Sequence, residues 1–294
     1  MVATFAMIFS IILTTYNRAE LLKRAIDSVL QQTFSDFELL IINDCSTDHT
    51  QLHIETYQDQ RIRCFHNSIN SGVSVSRNVG ISHARGTYLA FLDDDDEYFP
   101  HFLETVYRAF QNTQPPDFLW TSYQRFINHH NKVSHHIWKN SNDVTFLTQL
   151  SFSFGVVIHK NCFNSIGYFD TNLKTNEDLD VFFRLVQYQF KGKPLPDILI
   201  KIHQHPLPSL SRSPNWESRF NDVCYFVQKH QIFLSQYPAL EKHYYDMLIG
   251  LGYRARFYSK ARQLIRYLFN KNLMNLSILE KIIRFEILKP LFRK

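Results

Sequence analysis

The chain has only four cysteines, Cys45, Cys64, Cys162 and Cys224, and no two of them form a CxxC pair. That spacing excludes both a zinc knuckle and a disulfide framework, and scattered thiols suit a cytosolic protein. No apolar stretch reaches the roughly 18 residues that a membrane-spanning helix needs. Phe5–Leu13 is apolar, but no Lys or Arg precedes it and no small-residue cleavage site follows. It therefore reads as a first buried strand rather than a secretory leader. What the chain does have is apolar bulk: 45% of its 294 residues are hydrophobic, with 26 Phe and 15 Tyr. That composition excludes disorder and fits one large domain, or a domain with an appendage.

Strand and helix patterns alternate through the first half. Strands are expected at Ile8–Thr15, Phe37–Ile42, Arg61–His66 and Tyr88–Leu92. Helices are expected over residues 21–30, from an N-cap at Ser46 or Thr47 to about Tyr57, over Val73–Ala84 with Gly86 as its stop, and over Pro100–Gln111. Such alternation predicts a parallel sheet with helices on both faces, and a ligand outside the carboxyl ends of its strands. Thr14–Arg18, Asn43-Asp44 and Asp93–Asp96 would converge there. Further strands are expected at Phe118–Asn128 and Phe152–His159, with a polar loop at His129–Asn142 between them. A helix follows at Glu177–Gln189, and after a break at Pro194 and Pro196 comes a strand at Ile198–Ile202. The pairs His129-His130 and His135-His136 read as loop histidines rather than metal ligands.

Four consecutive aspartates, Asp93 to Asp96, leave the apolar run Tyr88–Leu92. Carboxylates this close repel one another, and a divalent cation relieves that cost. Hard ions such as Mg²⁺ take carboxylate and phosphate oxygens. The tetrad thus reads as a metal–diphosphate site, against the plainer alternative of a solvated acidic turn capping the helix near Pro100.

From Trp216 onward only helical patterns remain. After Gly252 eleven Lys or Arg residues face only Glu280 and Glu286. They alternate with aromatic and aliphatic residues, as in basic amphipathic helices that lie on anionic membrane surfaces. The alternative is a helical cap with a solvated basic face. With the positive charge confined to this tail and no reading motif, nucleic acid is not an expected partner.

Several ordered motifs carry a family resemblance. Ile11-Ile12-Leu13-Thr14-Thr15-Tyr16-Asn17-Arg18, Ser28–Leu39, Ile42-Asn43-Asp44-Cys45-Ser46-Thr47-Asp48, Asn70-Ser71-Gly72-Val73 with Arg77-Asn78, Gly80 and Ala84-Arg85-Gly86, and Phe91–Asp96 resemble the family 2 glycosyltransferases over residues 8–190. The resemblance implies an α/β GT-A fold and inverting transfer from a nucleotide sugar, with UDP as the nucleotide. It implies that Thr14 and Tyr16 line the nucleoside pocket, that Asp44 accepts from the uracil N–H, and that Arg77 lies near the base and diphosphate. Asp93 and Asp95 match the ends of the DxD motif, with Asp95 the direct ligand of Mn²⁺ or Mg²⁺. Asp93 reaches the metal through water or contacts the ribose. Asp94 is grouped with the nucleotide-binding residues, and Asp96 binds sugar hydroxyls or caps the next helix. Asn176-Glu177-Asp178 matches the late ED motif, with Asp178 as general base and Glu177 orienting the acceptor; the alternative is that both acids only favour a helix N-terminus. In Ile202-His203-Gln204-His205-Pro206, His205 rather than His203 is the expected neighbour of the metal.

These readings divide the chain into a catalytic domain at 1–215, with nucleotide-binding and acceptor-binding halves about 1–97 and 98–215, and a basic helical region at 216–294. The expected enzyme moves a sugar to a cell-surface glycan or glycolipid, such as lipopolysaccharide, capsule or exopolysaccharide, at the inner face of the cytoplasmic membrane. The competing reading is a silent nucleotide-sugar-binding module that regulates or scaffolds.

Overall fold

The computed structural model describes residues 7–127, 132–139, 144–204, 215–274 and 276–288. The chain separates into two compact units: Met1–Thr171 with Glu177–Pro206, and Asn172–Asn176 with Leu207–Lys294.

The first unit is built on a nine-stranded sheet. Its nucleus is β1 (Phe9–Thr15), β2 (Phe37–Asn43), β3 (Ile62–His66) and β4 (Tyr88–Asp93), all parallel in the order β3-β2-β1-β4. Every residue of β2 is buried, so its sequence is a continuous apolar run rather than an alternation. This is the pattern of strands covered on both faces. Between them run α1 (Ala19–Leu30), α2 (Thr50–Glu55) and α3 (Val73–His83). α1 buries Leu22, Ala25, Ile26 and Val29 against the sheet, at the helical spacing that marks them in the sequence. Gly86 is not a helix stop of the left-handed kind. A Cβ there would lie 2.5 Å from the Ser10 backbone nitrogen, so glycine lets the chain pass close to β1.

The sheet then turns mixed. β5 (Glu97–Tyr98) leads to α4 (Phe102–Phe110), followed by β6 (Phe118–Ile127), β7 (Lys132–His136), β8 (Val157–His159), α5 (Asn161–Ile166), α6 (Glu177–Gln187) and β9 (Gly192–Gln204). The order continues β4-β8-β6-β9-β5, with β7 on β6.

Three local expectations change. Part of the expected loop after β6 is a strand, β7, whose antiparallel ladder is supplied by β6 and has no signature in the polar local sequence. Phe152–Phe154 is a 3₁₀ turn rather than a strand, because the Ser151 hydroxyl accepts the Ser153 N–H and Gly155 closes the turn at φ 61°. β9 runs through Pro194 and Pro196 instead of starting after them. Its pairing with β6 jumps from Thr121–Leu195 to Ser122–Ile198, a bulge that accommodates proline. On its other side β5 pairs only with Ile200 and Lys201.

The second unit contains α7 (Trp216–Lys229), α8 (Gln231–Gln236), α9 (Pro238–Arg254), α10 (Tyr258–Asn270) and α11 (Leu276–Ile282). Asn215 caps α7 by accepting the Ser218 N–H at 3.0 Å. Ile249, Tyr253, Ala261, Leu268 and Ile278 form a core among α9, α10 and α11. The four cysteines are free thiols. Among the described residues no helix is long and apolar enough to cross a membrane.

Candidate active site

Parallel pairing aligns the carboxyl ends of β1, β2 and β4: Thr14 stands opposite Asp93, and Thr15 opposite Asn43. The loops leaving these ends are tied together. Asn17 accepts the Thr47 N–H at 2.7 Å, and its own N–H donates to Ser46 Oγ at 2.9 Å. Thr14 is half-buried at the end of β1, and Tyr16 is 43% exposed just beyond it. Asp44, buried beyond β2, accepts from Asn67 Nδ2 at 2.7 Å and from the N–H groups of Ser71 and Gly72 at 2.9 and 2.7 Å. A carboxylate offers about four acceptor positions, so Asp44 organises the 67–72 loop and retains room for one more donor.

The aspartate turn closes with the Asp96 N–H on the Asp93 carbonyl at 3.1 Å and returns into β5. It is not a solvated helix cap: Asp94 and Asp96 are buried, and α4 has His101 at its N-terminus with no side-chain cap. Arg18 Nη1 bridges Asp94 Oδ1 at 3.0 Å and Asp95 Oδ2 at 2.9 Å. Burial, opposed by Arg18 and reinforced by Asp95, pushes Asp94 up to about 7. Burial, with Asp95 and Asp93 adding to it, raises Asp96 well above the usual carboxylate range.

Asp96 Oδ1 accepts the His203 N–H at 3.0 Å, and His203 Nε2 lies 2.5 Å from Glu97 Oε1. The end of β9 is thereby held to the turn, with Arg24 and Lys201 completing the ion network around Glu97. His205 lies outside the described residues, as do His129 and His130.

Glu177 and Asp178 occupy the first turn of α6, where the helix dipole favours carboxylates. Arg77, buried on α3, connects them to the tetrad: Nη2 is 3.0 Å from Asp93 Oδ1 and Nη1 is 3.2 Å from Glu177 Oε1. Its guanidinium packs 5.3 Å from the ring centres of Phe152 and Phe169. The neighbouring Asn78 exchanges two hydrogen bonds with the Phe169 backbone, fixing the turn before α6. Burial, then the adjacent Asp178, push Glu177 up to about 7 against the pull of Arg77. Asp178 is raised by burial, while Arg77 and hydrogen bonds from Leu179, Ser151 and Phe152 oppose the shift.

Ligand oxygens of Asp93, Asp95 and Asp96 all lie within 4.8 Å of one another. An all-carboxylate set suits a hard divalent cation such as Mg²⁺ or Mn²⁺. The surrounding arginines show that the site already attracts cationic groups. Arg18, Arg24, Ser151, Ser153 and Glu97 are constituents of this region that motif reading did not single out. Arg18 stood within a recognised motif, but Ser153 lay in an expected strand and Ser151 just before it, and neither had a local signal.

A nucleus of parallel strands with a carboxylate cluster at their carboxyl ends and a second acidic pair on a later helix defines a GT-A-type nucleotide-sugar transferase. The model of the family described as "Glycosyl transferase family 2" matches residues 10–172. The chain belongs to that family and is a glycosyltransferase. It is 28% identical over 237 residues to WcaA of Escherichia coli K12, which carries the provisional name of a colanic acid biosynthesis glycosyl transferase; the match spans 76% of this chain and 81% of WcaA. Over 95 residues it is 37% identical to WfgD of Escherichia coli, named as a UDP-Glc:alpha-D-GlcNAc-diphosphoundecaprenol beta-1,3-glucosyltransferase; this covers 32% of the chain and 38% of WfgD. In fold it is similar to S. aureus TarS 1–349 in complex with UDP-GlcNAc, with a TM-score of 0.63 and 19% identity over 95% of this chain and 80% of that one.

Proposed function

We propose that the protein is an inverting transferase that moves a sugar from a UDP-sugar to a hydroxyl group of a cell-surface glycan or membrane-linked glycolipid. The observation that carries this reading is the Arg77 bridge, which joins the carboxylate cluster at the end of β4 to the acidic pair of α6. The names of WcaA and WfgD, and the UDP-GlcNAc complex of TarS, support the donor and acceptor classes. Lipopolysaccharide, capsule and exopolysaccharide precursors belong to that acceptor class.

Thr14 and Tyr16 contact the nucleoside, and Asp44 accepts from the base. Arg77 and Asp94 set the charge beside the diphosphate. Asp93 and Asp95, together with His205, would hold Mn²⁺ or Mg²⁺. When bound, such an ion offsets the negative charge that gathers on the departing diphosphate. Asp178 takes the acceptor hydroxyl proton as that oxygen bonds to the anomeric carbon, and the bond to the diphosphate breaks with its electron pair staying on phosphate. Glu177, fixed by Arg77, orients the acceptor. Asp178→Asn is expected to lower transfer by about 10²–10⁴-fold, with calorimetric UDP affinity nearly unchanged. EDTA should stop turnover and Mn²⁺ restore it. Full transfer by the Asn variant removes Asp178 from the mechanism.

The C-terminal unit would bring the enzyme to an anionic membrane surface at the inner face of the cytoplasmic membrane. Leu276, Leu279 and Ile283 form an exposed stripe at i, i+3 and i+7, and Arg266 and Arg284 are also exposed. Replacing Leu276 and Leu279 by Ser should weaken sedimentation with phosphatidylglycerol vesicles while leaving the melting temperature in place. Unchanged sedimentation would make the helices a cap alone.

A further inference from the structure

We infer that Glu97 and His203 are paired positioning residues: the contact between their side chains clamps the aspartate turn from behind and keeps Asp95 and Asp96 grouped for a divalent cation. This role rests on the donor-site reading proposed above. Ligand oxygens of Asp93, Asp95 and Asp96 lie within 4.8 Å of one another, a grouping that repulsion between carboxylates opposes. Glu97 stands outside that group. Its Oε1 meets His203 Nε2 at 2.5 Å, Arg24 Nε at 3.3 Å and Lys201 Nζ at 3.4 Å. Two of these partners also grip the turn. Arg24 Nη2 donates to the Asp95 carbonyl at 2.6 Å, and the His203 N–H donates to Asp96 Oδ1 at 3.0 Å. A carboxylate only accepts, so His203 Nε2 carries the proton of its contact with Glu97. The links close a loop, from Asp95 through Arg24 to Glu97, then through His203 to the Asp96 carboxylate. α1 and β9 are thereby joined at the residue that follows the tetrad.

The strand that carries Glu97 has anchors of its own. β5 pairs Glu97 with Lys201 and Tyr98 with Ile200, and the Phe99 N–H donates to the Leu199 carbonyl at 2.9 Å. Tyr98 is 3% exposed; its hydroxyl donates to the Phe91 carbonyl at 2.8 Å and its N–H to Ser28 Oγ at 3.1 Å. Its ring stacks on Phe102 with centres 3.7 Å apart. These contacts hold the backbone of β5, so the Glu97 side chain is left to fix the turn that precedes it. Groups that support metal ligands from behind typically govern metal affinity by about 10–100-fold. A carboxylate that served only to add negative charge would need no link to Asp96 through His203.

The clamp predicts a defect confined to the metal-dependent part of donor binding in the full-length protein. The quantity read is the ratio of UDP affinity with Mn²⁺ to UDP affinity with EDTA, both by calorimetry. Glu97→Ala should lower that ratio by about tenfold or more, with the EDTA affinity kept within about twofold. His203→Leu removes no carboxylate yet should lower the ratio as much. The double variant should be no worse than either single one, because both break the same contact. Glu97→Gln loses the charge but keeps an oxygen that accepts from His203, and should recover most of the loss. If His203→Leu does not fold, His203→Asn, too short to reach Glu97, takes its place. An unchanged ratio in Glu97→Ala, a raised ratio in the His203 variant, additive losses in the double variant, or a Glu97→Gln defect as large as that of Glu97→Ala would overturn the inference. Equal UDP affinity with Mn²⁺ and with EDTA in the unaltered protein would instead overturn the metal-site reading itself.

Discussion

The two ends of the same sheet treat buried charge in opposite ways. At the amino ends, Glu38 of β2 is 2% exposed and fully engaged. It accepts from Ser10 Oγ at 2.7 Å and from the Arg85 N–H at 2.6 Å, and Arg63 Nη1 lies 2.6 Å from its second oxygen. One carboxylate meets one guanidinium, and the cluster closes on itself as Ser10 accepts the Gly86 N–H. At the carboxyl ends, Arg18 pairs with Asp94 and Asp95 and Arg77 with Asp93 and Glu177, while Asp96 and Asp178 add further carboxylates to the cluster. Negative charge there exceeds what the neighbouring arginines offset, and several of these acids are forced above the ordinary carboxylate range. The difference separates a polar cluster that serves the fold from one that stores electrostatic tension for a ligand.

The largest test removes the cation that spans the carboxyl-end cluster. Arg77→Met should destabilise the protein by about 3–5 kcal/mol, because Asp93 and Glu177 lose their buried partner. Urea midpoints measure this, and a cost below that of the amino-end variant Glu38→Gln would break the contrast. Glu38→Gln keeps its shape and leaves Arg63 half-exposed, so about 1–3 kcal/mol is expected there. A smaller effect of opposite sign is expected from Asp96→Asn. It relieves repulsion at a fully buried position while an amide oxygen still accepts from His203, so the melting temperature without divalent ions should rise. The same variant should weaken Mn²⁺ binding, and a fall in melting temperature would show that Asp96 is a stabilising group.

The finest test is a pH dependence. Glu177 has its folded value pushed up to about 7 from an ordinary 4.5. Between those values the folded chain keeps a proton that the unfolded chain releases, so this group's contribution to stability falls as pH rises. Glu177→Gln should therefore raise the melting temperature more at pH 8 than at pH 5. A pH-independent difference would mean that Glu177 titrates normally.

The nucleotide-binding half was legible because its signals are local. β1, β2 and β4 are covered on both faces, so each reads as an apolar run, and α1 repeats its buried residues at helical spacing. The acidic tetrad and the Glu177-Asp178 pair stand out because clustered like charge beside apolar sequence is costly without a purpose. The later half was less legible. Hydrogen bonding to β6 makes a strand of Lys132–His136, and a bulge carries β9 past two prolines. The partner of β9 is far away in sequence, and Lys132–His136, though it follows β6 directly, is too polar to mark itself as a strand. Ser153 is an ordinary residue until folding brings it to Asp93, which is 60 residues away in sequence.

By itself, then, the order of residues determined the alternating architecture, the position of the acidic cluster and the family, since each depends on side-chain pattern within a short window. Only the tertiary structure decided which acids are buried and which arginines they share, and it brought Ser153 to Asp93. Charge, burial and hydrogen-bond direction at the site are properties of neighbours drawn from β4, α3, α6 and the turn before β8, and no local stretch of chain contains them.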